Sequence, residues 1–374
     1  MNFAFSDDQL AIRETAESYL AAEAGLERLR AVIESGTGFD AALWAGLAGE
    51  MGFCGLMVPE SHGGAGLGAV EMALVLEQTG ARLAVIPFFE TAVLAVQAIL
   101  AAGTQAQQAA LLPDLAAGAR KAAFAFAPES GWAGPKAIGP VLKPGGVLSG
   151  SAGFVSFAHV ADLLIVAARG DTGLSLIALP ASTPGIEIVR QPPLDLTRPF
   201  ALVRFHNVAL PEDAILGEAG QADAAFAHTL AVGGGLLAAE QTGGAAFCLA
   251  AAVDYSKQRV QFGRLIGSFQ AMKHEFANMM LQVEAARSAA YYAAAAIGEN
   301  SPELAEAASV ARAWCTDAYQ YCAAEGIQLH GGIGFTWEHH AHLYFKRARS
   351  CASWFGDAAE HREAIARLIL PEAS

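Results

Sequence analysis

The run Arg259-Val260-Gln261-Phe262-Gly263-Arg264, continuing through Leu265, Ile266, Gly267, Ser268 and Phe269 to Gln270, combines the residue types that hold a dinucleotide. An arginine fork grips a diphosphate through paired charge-assisted hydrogen bonds, an aromatic ring stacks on a purine, and glycine admits close backbone approach. The same run also reads as a basic helix end followed by a turn. A second cluster, Gln328-Leu329-His330-Gly331-Gly332-Ile333-Gly334-Phe335, offers backbone N–H groups at a glycine-rich turn. Alone, it is equally a glycine helix stop. Glu338, His339, His340 and His342 raise the question of a metal. Adjacent His339 and His340 diverge on a helix or strand, so a polar pairing surface is expected there and no metal site. Trp337, Tyr344 and Phe345 are expected in the core or in an oligomer interface.

These groups sit in a chain of 374 residues, 54% hydrophobic and 16% charged, which can bury a large core and form two or three domains. The formal charge of -14 argues against a nucleic-acid-binding protein, because phosphate neutralisation needs a basic face. An anionic cofactor must therefore find one of the few basic clusters. Cys54, Cys248, Cys315, Cys322 and Cys351 include no C-x-x-C pair and read as small core residues. No stretch reaches the roughly 18 uninterrupted apolar residues of a spanning helix, so no membrane protein is expected. Met1 to Asp8 lacks the basic start and apolar run of a secretory signal, and the expected location is cytoplasmic.

The elements that must position the two clusters fall into three parts, 1–118, 119–223 and 224–374. In the first, Ser6 with Gln9 forms a capping-box pattern and Phe5 with Leu10 a hydrophobic staple, which starts a helix near Asp7. Helical spacing continues over Ala41 to Met51, Ala69 to Gly80 and Thr91 to Ala102. In the second, Ala122 to Ala127, Asp162 to Ala168, Leu174 to Leu179, Ile186 to Arg190 and Phe200 to Val208 are short apolar runs between turns, the mark of an antiparallel β unit. In the third, Ser301-Pro302 starts a helix whose buried stripe is Leu304, Ala307, Ala308, Ala311, Trp314, Cys315, Ala318 and Cys322. The fold class is α+β: an N-terminal helical domain, a central antiparallel β-sandwich or barrel, and a C-terminal four-helix bundle.

In this order, the two clusters resemble those of the acyl-CoA dehydrogenase family, and the resemblance covers nearly the whole chain. Val58-Pro59-Glu60-Ser61-His62-Gly63-Gly64-Ala65-Gly66 is similar to the family's V-P-E-x-x-G-G-x-G segment. Arg259 to Gln270 is similar to its R-x-x-F-G-x-x-x-x-x-x-Q element, and Gln328 to Phe335 to its Q-x-x-G-G-x-G-F element. The resemblance implies FAD as cofactor, with Arg259, Phe262, Gln270, Gln328, Gly331 and Gly332 reaching across a dimer interface to the ADP half of the neighbouring subunit's FAD. It also implies an acyl-CoA substrate, an electron-transfer flavoprotein as acceptor, and a homodimer, homotetramer or heterotetramer with a homologous subunit. Where the family has a T-E-P turn and a W-I-T strand against the flavin, this chain has Phe126-Ala127-Pro128 and Phe154-Val155-Ser156. Ser156 can still donate to the flavin, whereas Phe126 has only its backbone N–H to offer.

The family reaction pairs removal of an α proton from an acyl thioester with hydride transfer from the β carbon to the flavin, so a carboxylate must face the flavin. Relatives carry it in the C-terminal loop, where counting gives Gly356 followed by Asp357, or early in the helix before Arg259, where it gives Gly233. Glu240 lies seven residues after Gly233, two helical turns on and nearly on the same face, in an apolar run that would raise its pKa. The candidate bases are therefore Glu240 and Asp357, beside the alternative that Glu240 is a buried structural residue and this subunit supplies no base. The stretch His330 to His340 resembles the smaller subunits of two-chain bacterial dehydrogenases acting on steroid, dicarboxyl or fatty acyl-CoA. A subunit that mainly completes the FAD site, and a flavin monooxygenase on the same scaffold, are the alternatives to a complete dehydrogenase.

Overall fold

The computed structural model describes residues 5–370. Packing gathers the chain into two compact units that interleave along the sequence: 1–31, 69–84 and 234–374 in a helical unit, 32–68 and 85–233 in a unit built around a sheet.

In the helical unit, α1 (Asp7–Glu23) begins as expected, with Ser6 Oγ accepting from Gln9 N at 3.2 Å and Gln9 Oε1 from Ser6 N at 3.0 Å. Phe5, expected as a staple to Leu10, sets its ring edge-on against Tyr291, 5.0 Å between centroids. The unit also takes in the start of α2 (Leu26–Ser35) and all of α4 (Ala69–Ala81). Helix α7 (Asp223–Ser256), which belongs to this unit from Gly234 on, is apolar over most of its 34 residues and long enough to cross a membrane, yet most of its apolar stretch is buried as in a core helix. Glycines let neighbours come close to it. A Cβ on Gly80 of α4 would stand 1.9 Å from the Glu240 carbonyl oxygen, and one on Gly243 1.8 Å from that of Glu77. Helices α8 (Gln270–Gly298) and α9 (Leu304–His330) run beside it, and α8 is tied to α4 where Glu77 accepts from Arg287 Nε at 3.1 Å and from the Tyr291 hydroxyl at 2.6 Å. The expected bundle thus has three long helices. In place of a long fourth come α10 (Ala341–Ala352) and α11 (Ala358–Ile369), broken at Gly356, whose φ of 100° a helix does not accommodate. Of the expected stripe on α9, Trp314 departs, with 40% of its surface exposed, and the helix begins at Leu304, two residues beyond the expected proline start.

In the other unit, α3 (Ala41–Trp44) runs into a π-helical turn, Ala45–Glu50; a second, Glu90–Ala95, leads into α5 (Val96–Ala102), and α6 (Gln105–Ala116) follows. Strands β1 (Ala122–Ala125), β2 (Pro140–Lys143), β3 (Val147–Ser156), β4 (Leu163–Gly170), β5 (Gly173–Pro180), β6 (Ile186–Arg190) and β7 (Phe200–Ala209) form one seven-stranded sheet. The sheet is mixed, not purely antiparallel: β4 pairs β1 and β2 in parallel and β5 antiparallel, because the β2–β3 hairpin lies in the connection from β1 to β4 and supplies the crossover that parallel strands require. Alternate residues, among them Leu164, Val166, Ile177, Leu179, Val203 and Phe205, share one core. Strand β3 lacked a sequence signal because Gly150 and Gly153 interrupt it, and its register against β7 shifts beside each of them.

Candidate functional site

Arg259 follows α7, where its backbone N–H donates to Tyr255 O at 2.9 Å and its carbonyl accepts from Ile266 N at 2.8 Å. Between these anchors, β8 (Val260–Gln261) and β9 (Arg264–Leu265) make a two-residue hairpin with Phe262 and Gly263 at its tip, both left-handed at φ 54° and 75°. Such turns normally take Asn-Gly, so a phenylalanine there is strained, and 92% of it is exposed. The Arg259 guanidinium is exposed and forms no ion pair or hydrogen bond among the described residues. Gln270, first residue of α8, contacts His274 at 3.0 Å. Gln328 lies exposed near the end of α9, and Gly331 leaves the helix at φ 66° into the turn Gly331–Phe335. Phe335 is 82% exposed. The two clusters meet through Tyr255, four residues before Arg259, whose ring lies 4.6 Å from that of His330. The Arg259 and Gln328 side chains are exposed without a hydrogen-bond partner among the described residues, and Phe262 and Phe335 present exposed rings.

His339 and His340 do not diverge. Both lie in the turn before α10, outside regular structure, and their rings stack at 4.3 Å, with His330 a further 4.3 Å from His339. Burial, then the neighbouring imidazoles, push the pKa of each of His339 and His340 down to about 4, which keeps these two rings neutral. Tyr344 is buried with its ring 4.4 Å from Phe247, while Trp337 stays 60% exposed. The five cysteines are buried free thiols, as expected of small core residues.

In the sheet unit, Phe126 is buried among Phe124, Trp132 and Phe226. Phe154 sits at the β3 irregularity with φ 51°, its ring 6.0 Å from Phe200. Two residues on, Ser156 is 2% exposed, and its Oγ has no hydrogen-bond partner among the described residues. A buried hydroxyl without a partner marks a place where a polar group is missing.

The two positions expected to carry the base are both glycine. A Cβ on Gly233 would lie 2.6 Å from Leu94 Cδ2, the end of a leucine side chain of the second π-helical turn that would have to shift. Gly356 is left-handed, and its carbonyl accepts from Arg312 Nη2 at 3.3 Å. Arg312 is fully buried and also donates to Gln241 Oε1 and to the carbonyls of Cys351 and Trp354. Sequence reasoning missed it, because an arginine on an alanine-rich helix gives no sign of which loop it reaches. Glu240 is 4% exposed, and its Oε1 accepts from Arg347 Nη1 of α10 at 2.7 Å. The apolar surroundings expected of Glu240 are thus replaced by a guanidinium. Asp357 caps α11, its Oδ1 accepting from Glu360 N at 2.8 Å while Glu360 Oε2 accepts from Asp357 N at 3.0 Å.

Residues 6–119 match the N-terminal domain model of acyl-CoA dehydrogenase and residues 224–370 its C-terminal domain model. The chain belongs to the acyl-CoA dehydrogenase family. It is 34% identical over 355 residues to the acyl-CoA dehydrogenase IpdE2 of Mycolicibacterium smegmatis, covering 95% of this chain and 96% of that one. Among solved structures, it is similar to a chain of the ChsE4–ChsE5 complex from Mycobacterium tuberculosis, with a TM-score of 0.90, 25% identity and full coverage of both chains. It is likewise similar to a variant of the steroid acyl-CoA dehydrogenase Tcur3481–Tcur3483, with a TM-score of 0.88, 30% identity and 97% and 98% coverage. The family acts on CH–CH bonds and depends on FAD. The residues present fit that cofactor: Ser156 holds a buried hydroxyl with no hydrogen-bond partner among the described residues, and the Arg259 and Gln328 side chains are exposed and uncommitted among them.

Proposed function

We propose that this chain is the FAD-site-completing subunit of a heteromeric acyl-CoA dehydrogenase, and that the catalytic carboxylate comes from a homologous partner. The observation that carries this reading is the fate of the two candidate bases: Glu240 is engaged by Arg347 and Asp357 by the α11 cap. Gly233 and Gly356 have no carboxylate to contribute. When bound, FAD would supply the acceptor for the hydride that leaves the β carbon of the acyl-CoA. The protein groups of this chain act by holding. Arg259 would supply a charge-assisted fork for the diphosphate of the neighbouring subunit's FAD, with Phe262 as a stacking face and Gln270, Gln328, Gly331 and Gly332 as polar backbone and amide contacts to that same FAD, whereas the Ser156 hydroxyl would donate to the isoalloxazine bound at this chain's own sheet. Phe126 and Phe154 give that ring apolar neighbours. The reduced complex passes its electrons to an electron-transfer flavoprotein. The likeness to two-chain relatives supports a heterotetramer, and the steroid dehydrogenase relative supports a ring-bearing acyl group.

The test is co-expression with a homologous subunit, measuring flavin absorbance and acyl-CoA-dependent reduction of an electron acceptor. Flavin retention and turnover are expected in the pair and not in this chain alone. Full turnover by the purified single chain would overturn the assignment of the base to a partner.

A further inference from the structure

Three side chains around Trp337 take no part in the proposed dehydrogenation. Arg30 of α2 donates one guanidinium nitrogen, Nη1, to the Trp337 carbonyl. Its other terminal nitrogen, Nη2, is shielded from solvent and makes no hydrogen bond among the described residues. Lys346 of α10 holds its Nζ 4.4 Å from the centroid of the Trp337 ring. His342, one turn earlier on the same helix, meets that ring edge-on, centroids 4.6 Å apart and planes at 73°. His342 is 7% exposed, and neither Nδ1 nor Nε2 has a hydrogen-bond partner among the described residues.

Buried polar groups in a finished protein have partners, so these orphaned atoms describe what must arrive. The sign of the visitor follows from its hosts. Arg30 and Lys346 bring a guanidinium and an ammonium group, and neither forms an ion pair among the described residues. Burial, then Lys346 and Arg30, hold the His342 pKa down to about 4, so the ring is a neutral donor at physiological pH. Two cations and an N–H donor repel a metal ion and match an oxyanion, whose lone pairs accept from several donors at once.

We propose that Arg30, His342 and Lys346 form an oxyanion-binding notch with Trp337 as its floor, and that it receives a side-chain carboxylate of an adjoining subunit. Trp337 follows the turn Gly331–Phe335 by two residues, and both Phe335 and Trp337 are exposed, at 82% and 60%. A chain with 37 acidic and 23 basic residues has carboxylates to offer if a second copy or a homologue supplies the partner. The identity of the occupant rests on the assembly proposed above; oxyanion binding itself does not.

The purified full chain is titrated with inorganic phosphate at neutral pH while indole fluorescence is followed, with Trp337→Phe as the blank. Subunit association is measured in parallel by sedimentation for wild type, Lys346→Met and Arg30→Lys. The expected result is a saturable Trp337 signal that Lys346→Met weakens about tenfold, together with a similar loss of subunit affinity at an unchanged melting temperature. High phosphate should dissociate the wild-type complex. If phosphate binds but Lys346→Met assembles as wild type, the partner carboxylate is overturned and the notch serves a free phosphate group. If neither the Trp337 signal nor the nitrogen NMR shifts of His342 respond, the notch itself is overturned. Should no partner subunit assemble with the chain, the reading under the proposed function fails, while the phosphate titration still judges the notch.

Discussion

Replacing Glu240 by Gln separates a structural carboxylate from a catalytic one. In the folded chain, Glu240 and Arg347 form an ion pair at 2.7 Å with side-chain exposures of 5% and 3%. The amide keeps the shape and one hydrogen bond but removes the negative charge paired with Arg347 in the core. Removing one member of a buried pair costs about 3–5 kcal/mol, and the retained hydrogen bond places this substitution near about 3. For a domain of about 150–250 residues, each kcal/mol lowers the melting temperature by roughly 2–4 °C, so a fall of about 6–12 °C is expected. Pairing Glu240→Gln with Arg347→Met removes both charges and should restore most of the loss. The assays are calorimetric melting and turnover of the assembled complex at a temperature where both forms are folded. Turnover should stay within a few-fold of wild type. An unchanged melting temperature with turnover reduced roughly 10²-fold or more would mean that Glu240 is the general base, and the structural reading would fall.

Four further outcomes follow from the same geometry. The pKa values of His339, His340, His342 and His361 are lowered to about 4 from the ordinary histidine value of about 6.5, chiefly by burial. The unfolded chain then binds more protons than the folded chain between those values, so stability should fall as pH drops from about 6.5 to about 4 and level off below. Urea unfolding across that range checks it, and His340→Phe should flatten the dependence by on the order of 1 kcal/mol after solvent screening. Gly243→Ala drives a methyl group against the Glu77 carbonyl and should destabilise by about 3 kcal/mol or more, read by thermal melting. Phe262→Gly relieves a left-handed phenylalanine but loosens the unfolded chain; the two effects offset within about 1 kcal/mol, while FAD retention, measured by absorbance after gel filtration, should drop. Ser156→Ala removes an orphaned hydroxyl, so the flavin-free protein should be as stable or up to about 1 kcal/mol more stable, with weakened FAD binding; clear destabilisation would show that the hydroxyl has a partner.

What the amino-acid sequence determined by itself was local. Ser6 and Gln9 lie within a single helical turn, so the α1 start could be read directly, and the runs that became β4 to β7 carried their apolar period with them. The motif residues at Arg259 and Gln328 announced themselves because a fork, a ring and glycines sit within a few positions of one another. Tertiary structure decided whatever depended on distant partners. Whether Glu240 faced an open pocket or a guanidinium rested on Arg347, more than a hundred positions away, and whether Gly233 was a vacancy rested on Leu94. The parallel pairing of β1 with β4 and the stacking of His339 on His340 were equally out of reach, because chain crossover and turn geometry do not appear in composition or period. Propensity and capping energies act over about one helical turn, whereas burial and charge pairing act wherever the folded backbone brings two groups together.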